Sequence, residues 1–176
     1  MINKGCIIIT GLVLWTIGVF AQQAILPVNL NVPAGNRLSC HVYARGVQIY
    51  RYMQDKNDTS KYVWTFVAPA ADLFTAPDYT TATGKHYVGP AWEATDGSKV
   101  TGKKLQQADS PDTSAIPWLL LSAAEVSGSG IFSGTTFIQR INTHGGKAPP
   151  APDRGSHPGE EIRIPYTAEY LFYRPI

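Results

Sequence analysis

From Leu38 onward the chain is written largely in steps of two. In LSCHVYAR, Leu38, Cys40, Val42 and Ala44 alternate with Ser39, His41, Tyr43 and Arg45. In VQIYRY, Val47, Ile49 and Arg51 alternate with Gln48, Tyr50 and Tyr52. Successive side chains of a strand point to opposite faces, so this period predicts half-buried β-strands and not amphipathic helices. KYVWTFV (61–67), WLLLSAAEV (118–126), TTFIQRINT (135–143) and PYTAEYLFY (165–173) are rich in β-branched, aromatic and aliphatic residues. Turn formers separate them: KNDTS, Gly89-Pro90, Asp96-Gly97, SGSG at 127–130 and HGG at 144–146. Short strands punctuated in this way predict an all-β, single-domain antiparallel β-sandwich or β-barrel. Only 118–126 has the propensity for a helix, with Pro117 suited to its start, and its β-rich surroundings favour a buried strand. The stretch 145–161, GGKAPPAPDRGSHPGEE, reads as a long Pro/Gly-rich surface loop, because its prolines cannot donate to a ladder. No internal repeat is visible.

The N-terminus has a different grammar. Lys4 precedes the apolar run Ile7–Ala21, which is shorter than the roughly 20 residues a spanning helix needs. Ala21, with Val19 two positions earlier, is a plausible cleavage point, so residues 1–21 are predicted to be a secretory signal peptide cleaved after Ala21. Cys6 lies ahead of the apolar run, which is the wrong place for a lipoprotein cysteine. The expected location is therefore secreted or periplasmic, with residues 22–176 forming one β-rich domain and no membrane span after signal removal. A net charge of +2, with no basic run longer than Lys103-Lys104, argues against a nucleic-acid partner. Past the signal only Cys40 remains, so no internal disulfide can form. Its place on the apolar face of LSCHVYAR predicts a structural thiol, which behaves as a small hydrophobe.

The densest collection of chemical groups is GKHYVGPAWEATDGSKVTGKK (84–104). A two-residue Asp-Gly turn there would mix apolar and charged side chains on one face. A three-residue Thr95-Asp96-Gly97 loop puts Gly97 at the left-handed bulge position and pairs Trp92 with Val100 and Glu93 with Lys99. That register segregates Trp92, Ala94, Ser98 and Val100 from Glu93, Lys99 and Thr101, and is the one expected. Glu93 and Lys99 would then form a cross-strand ion pair worth about 0.2–1 kcal/mol. The four histidines, at 41, 86, 144 and 157, show no HxH or HExxH spacing, so no metal site is predicted. No GxSxG elbow is present, and Gly128-Ser129-Gly130 leads into a β-branched segment where a phosphate loop needs a helix. The sequence therefore nominates no catalytic residue and no cofactor. Aromatic side chains on a rigid sheet can instead form a platform for a sugar ring or an apolar ligand. The ligand-binding candidates are His86, Tyr87, Trp92, Trp118, Arg140 and Asn142, the last two placed on one strand face by their spacing.

Six strings in order, ARGVQIYRY, WTFVAPAADL, GKHYVGPAWEATDGSKV, AIPWLLLSA, TFIQRINTHGGKAP and YTAEYLFY, resemble the family of exported proteins known as domain of unknown function 3455 (DUF3455), over about residues 34–174. The resemblance implies export and a single β-rich domain, and brings no activity, cofactor or catalytic residue. It also implies a pair of cysteines found in many members, at the position of Tyr52 and in the loop near Asp153, both missing here.

The expected function is a non-catalytic ligand-binding or cell-envelope-associated module whose partner is a small molecule or a glycan. Two other classes stay open at this point. One is a hydrolase or lyase that uses His86 with a carboxylate brought near by folding; the other is a structural or assembly protein. Nothing in the sequence specifies an oligomeric state.

Overall fold

The computed structural model describes residues 25–150 and 157–176. The expected signal peptide (1–21), and the stretch around Asp153 where the resemblance implies a cysteine, lie outside the described residues. Eight strands follow a short 3-10 turn at Val28–Leu30: β1 (Asn36–Gln54), β2 (Tyr62–Phe74), β3 (Ala82–Tyr87), β4 (Ala91–Ala94), β5 (Lys99–Ala108), β6 (Trp118–Ser127), β7 (Phe137–Gly145) and β8 (Glu161–Pro175). Each pairs antiparallel with the next, and β8 returns to pair with β1 from Arg51↔Glu161 to Asn36↔Pro175, so the sheet is a closed up-and-down barrel. Of the two architectures predicted, the chain adopts the barrel, which leaves no unpaired sheet edge. Among the described residues no helix is long and apolar enough to cross a membrane.

The period-two pattern selects the inner face. Val42 and Ala44 of β1 face the core, as do Leu73, Trp92, Val100, Leu121, Ile138, Ala168, Tyr170 and Phe172 from the other strands. Further along β1 the inner face is the one carrying Gln48, Tyr50 and Tyr52, all buried, while Val47 and Ile49 are only half-buried. The continuous apolar run of β6 has its own cause, because that strand is covered on both sides. Leu119 and Leu121 turn inward, and Trp118 and Leu120 turn outward beneath Leu30 of the 3-10 turn.

The hairpin of β4 and β5 has the register deduced from its faces: Trp92↔Val100 and Glu93↔Lys99. Gly97 has φ +86°, the left-handed conformation the three-residue loop needs. The expected ion pair is replaced by another arrangement. Glu93 accepts the hydroxyl hydrogen of Tyr87, and the ammonium of Lys99 lies 5.3 Å from the centre of the Tyr87 ring. A neighbouring strand offered both charges an aromatic partner that pairing within one hairpin does not reveal.

Four loops are tied by the same local device, Asp-X-Ser/Thr. The Oδ1 atoms of Asp58, Asp78, Asp96 and Asp112 each accept from the backbone N–H and the hydroxyl two residues on, with heavy-atom distances of 2.6–3.1 Å. This side-chain mimic of a backbone turn is why aspartate recurs between the strands. The Lys61 ammonium at Asp58, and these hydrogen bonds at all three, favour the ionised form, so the carboxyls of Asp58, Asp96 and Asp112 are held below the usual carboxylate range.

One end of the barrel is sealed by the β6–β7 connection. The N–H of Ile131 donates to Asp96 Oδ2 at 2.8 Å and that of Phe132 to Ser98 Oγ at 3.2 Å. These bonds dock the loop on the β4–β5 turn and drive Phe132, fully buried, against Phe172 at 4.4 Å between ring centres.

Candidate functional site

An eight-stranded barrel has an interior just wide enough to be filled by side chains or to hold one small ligand. Here the Phe132 end is filled, and the other end holds a cavity of about 420 Å³. Its wall is assembled from most of the strands: Gln48 and Tyr50 from β1, Pro69 from β2, His86 from β3, Trp92 from β4, Leu119 and Leu121 from β6, Arg140 from β7 and Tyr170 from β8. Phe66, Val67 and Val88 form an exposed apolar lip on one side of the mouth, with Lys104 and Gln107 on the other.

Trp92 makes the floor. Its ring stacks on His86 at 4.5 Å with 10° between planes, and meets Tyr170 and Phe172 edge-on at 5.2 and 5.9 Å. Gly102 makes room for it, since a Cβ there would stand 3.0 Å from Trp92 Cζ3 and 3.1 Å from Leu121 Cδ2. The floor thus rests on a glycine across the β4–β5 pair.

His86 is buried, and its Nδ1 lies 2.9 Å from the carbonyl oxygen of Ala91. A carbonyl only accepts, so Nδ1 carries the hydrogen and Nε2 keeps its lone pair. Burial pushes the imidazole pKa down to about 3, helped by the nearby Arg140 cation and opposed by the Ala91 carbonyl. His86 is therefore a neutral, fixed tautomer whose Nε2 can only accept. Among the described residues no Asp or Glu lines the cavity, so the carboxylate partner a His86-based hydrolase or lyase needs is not supplied there. Glu93 and Asp96 are engaged in the hairpin as described, and Glu169 lies on the outer face with His41 Nε2 at 2.8 Å.

The polar groups of the wall are left wanting. Gln48 Nε2, Trp92 Nε1 and the Tyr170 hydroxyl are buried with no hydrogen-bond partner. Most buried polar groups are paired, and an orphan costs about 1–3 kcal/mol. Burial raises the Tyr170 phenol above its ordinary pKa against the pull of Arg140 and Tyr166, which lie close without completing a well-formed bond. Arg140 is half-buried; its Nε and Nη2 donate to the Pro117 carbonyl at 3.0 and 2.8 Å, and among the described residues it has no carboxylate partner.

Of the six candidates read from the sequence, the barrel brings together His86, Trp92 and Arg140. Tyr87 turns outward to Glu93, and Trp118 lies outside the barrel wall under Leu30. Asn142 is separated from Arg140 by a break in the β7–β8 register between Ile141 and His144. It takes a φ of +46° and donates to Glu169 Oε1 on the outer face at 3.0 Å. Strict alternation put both residues on one face, and the bulge reverses it. Gln48 was not nominated, although an amide sharing a strand face with Tyr50 and Tyr52 is the signal that marks it. Tyr50 and Tyr170 also line the cavity. Cys40 packs against the core, and burial, with the charge of Asp96, raises its thiol pKa to about 11. It stays protonated, as a structural thiol should. Among the described residues no group of three His, Cys, Asp or Glu is placed to hold a metal ion.

No curated protein and no solved structure matches the chain. A family model, protein of unknown function (DUF3455), matches residues 33–174, nearly all of the barrel and most of the chain. The chain belongs to the DUF3455 family.

Proposed function

We propose that the protein is an exported binding module that holds a small molecule in the open end of its barrel and performs no chemistry on it. The observation that carries this reading is a cavity whose lining residues Gln48, Trp92 and Tyr170 each hold a buried polar atom without a partner: Nε2, Nε1 and the hydroxyl. A cavity of about 420 Å³ lies within the usual size range of ligand pockets, and its mixture of apolar walls with a few fixed polar groups is their usual composition. The ordered His86 tautomer supports binding over proton transfer, because a neutral acceptor without a carboxylate neighbour orients a donor and does not cycle a proton.

Export rests on residues 1–21. Expression with the native N-terminus, followed by N-terminal sequencing of protein from the periplasm or medium, should find a chain beginning at Gln22. Intact residues 1–21 would overturn that part. Binding is tested by thermal-shift screening of a small-molecule and glycan library against the purified protein and a Leu119→Trp variant, whose larger side chain fills the cavity. Saturable stabilisation that Leu119→Trp abolishes is expected. Hits indifferent to that substitution, or no hits at all, would contradict the cavity as the binding place.

A further inference from the structure

Resting on the reading of the cavity as a binding place, we infer that its occupant is an organic carboxylate with an apolar body, bound with the carboxylate inward against Arg140. The charges of the wall point this way. Arg140 and Lys104 are its cations, and no Asp or Glu among the described residues offsets them there. Lys104 is exposed at the mouth, where water screens it and Gln107 Oε1 accepts from it at 3.0 Å. Arg140 is different. It is half-buried, and the single neutral carbonyl of Pro117 takes its Nε–H and one Nη2–H. A guanidinium removed from water without an anion is costly, and cations so placed are ordinarily paired.

The free edge defines the head group. With Nε and one hydrogen of Nη2 committed to Pro117, the end of the fork, Nη1 with the second hydrogen of Nη2, stays unclaimed. Two parallel donors at that spacing match the two oxygens of a carboxylate. The unpartnered Tyr170 hydroxyl lies beside the guanidinium, and Tyr166 links it in space to Gln48, whose Nε2 is also unpartnered. These groups are closed off behind the cavity surface, so the free edge of Arg140 is the donor that meets the carboxylate oxygens.

The rest of the wall defines the body. A bare inorganic anion would leave most of a cavity of about 420 Å³ unfilled. Trp92, Leu119, Leu121, Ile116 and Tyr50 offer it apolar surface, and the lip of Phe66, Val67 and Val88 continues that surface outward. A molecule with its carboxylate at Arg140 lays its apolar part along these side chains and leaves by the lip.

The test is calorimetry on the purified protein with matched probes: octanoate and cinnamate, their primary amides, and octylamine. The expected result is saturable binding of at least one carboxylate, at least tenfold tighter than its amide, with octylamine weaker still. Arg140→Gln should bring the carboxylate-to-amide ratio close to one, and Arg140→Lys should restore part of it. Because the ratio is first measured on the unaltered chain, the inference stays testable even if Arg140→Gln fails to fold. Amides or the amine binding as well as the carboxylates would overturn the anionic head group and leave the binding reading standing. If no probe binds while the library screen yields cavity ligands, the carboxylate class is overturned. If neither yields a ligand, the binding reading falls too.

Discussion

The two ends of the barrel are made from the same strands and solve opposite problems. At the sealed end the polar groups are used: Ser98 Oγ donates to Asp96 Oδ1 and accepts from Phe132 N, while Asp96 Oδ2 accepts from Ile131 N. The space they surround is filled by Phe132 and Phe172. At the open end a comparable set of groups, Gln48, Trp92, Tyr170 and Arg140, surrounds a cavity and is left without partners or without a counter-charge. A fold that can satisfy and fill one end so completely has no physical need to leave the other unfinished. The difference separates side chains that hold the barrel from those that carry an unmet cost in stability, as functional sites commonly do.

Substitutions at the two ends should therefore differ in kind. The largest effect is expected from Phe132→Ala, which empties the plug and should cost about 3–5 kcal/mol in denaturant unfolding. Phe66→Ala and Val88→Ala at the lip should stay within about 0.5 kcal/mol, since both side chains are already exposed. A loss at the lip equal to that at the plug would erase the distinction.

The pH dependence of stability comes next. His86 has a folded pKa of about 3 against 6.5 for the free side chain. Below 6.5 the unfolded chain takes up a proton that the folded chain refuses. Stability contributed by the neutral imidazole is therefore complete above pH 6.5 and falls by up to about 1.4 kcal/mol per pH unit towards pH 3. Denaturant titrations at stepped pH should show this slope, and His86→Phe should flatten it. The lowered carboxyls of Asp58, Asp96, Asp112 and Glu169 add a second acid loss of the same sign. It begins only as pH enters the ordinary carboxylate range, so between pH 6.5 and that range the His86 slope stands alone.

Gly102→Ala should cost about 1–3 kcal/mol, because the new methyl group must displace Trp92 or Leu121. It should also alter the fluorescence of the cavity floor, which Phe132→Ala reaches only through Phe172. A pair of hydroxyl deletions, one at each end, compares the two directly. Ser98→Ala strands the Phe132 N–H and should lose about 1–3 kcal/mol. Tyr170→Phe removes an orphaned hydroxyl and should leave stability within about 0.5 kcal/mol of the parent, or raise it. Equal losses for both would mean that Tyr170 is an ordinary structural group.

Much of the wall was legible in the sequence, and the reasons for the rest are physical. Period two identified the strands, and segregation of faces identified the Trp92↔Val100 register, because a one-residue slip would have exposed Trp92. Alternation does not say which face becomes the inside when neither is plainly apolar, so Gln48, Tyr50 and Tyr52 were not recognised as the inner row. Nor can it foresee a bulge. The left-handed turn at Asn142 is one residue's conformation, and it moves that side chain from the company of Arg140 to that of Glu169. Phe132 lies in a glycine- and serine-rich connection that reads as loop, and only closure of the ring reveals that this loop is a plug. The isolation of Arg140 is likewise a property of what the other seven strands fail to bring near it.

Whether the open end of the barrel is a ligand site can be read from the indole resonances of Trp92 and Trp118 in a ¹⁵N-labelled protein titrated with cinnamate or octanoate. Trp92 Nε1 is unpartnered in the cavity wall, and Trp118 Nε1 is equally unpartnered but buried outside the barrel under Leu30. The Trp92 signal should move and saturate with ligand while the Trp118 signal stays in place. Saturation at Trp118 with Trp92 unmoved, or no movement of either, would contradict the account.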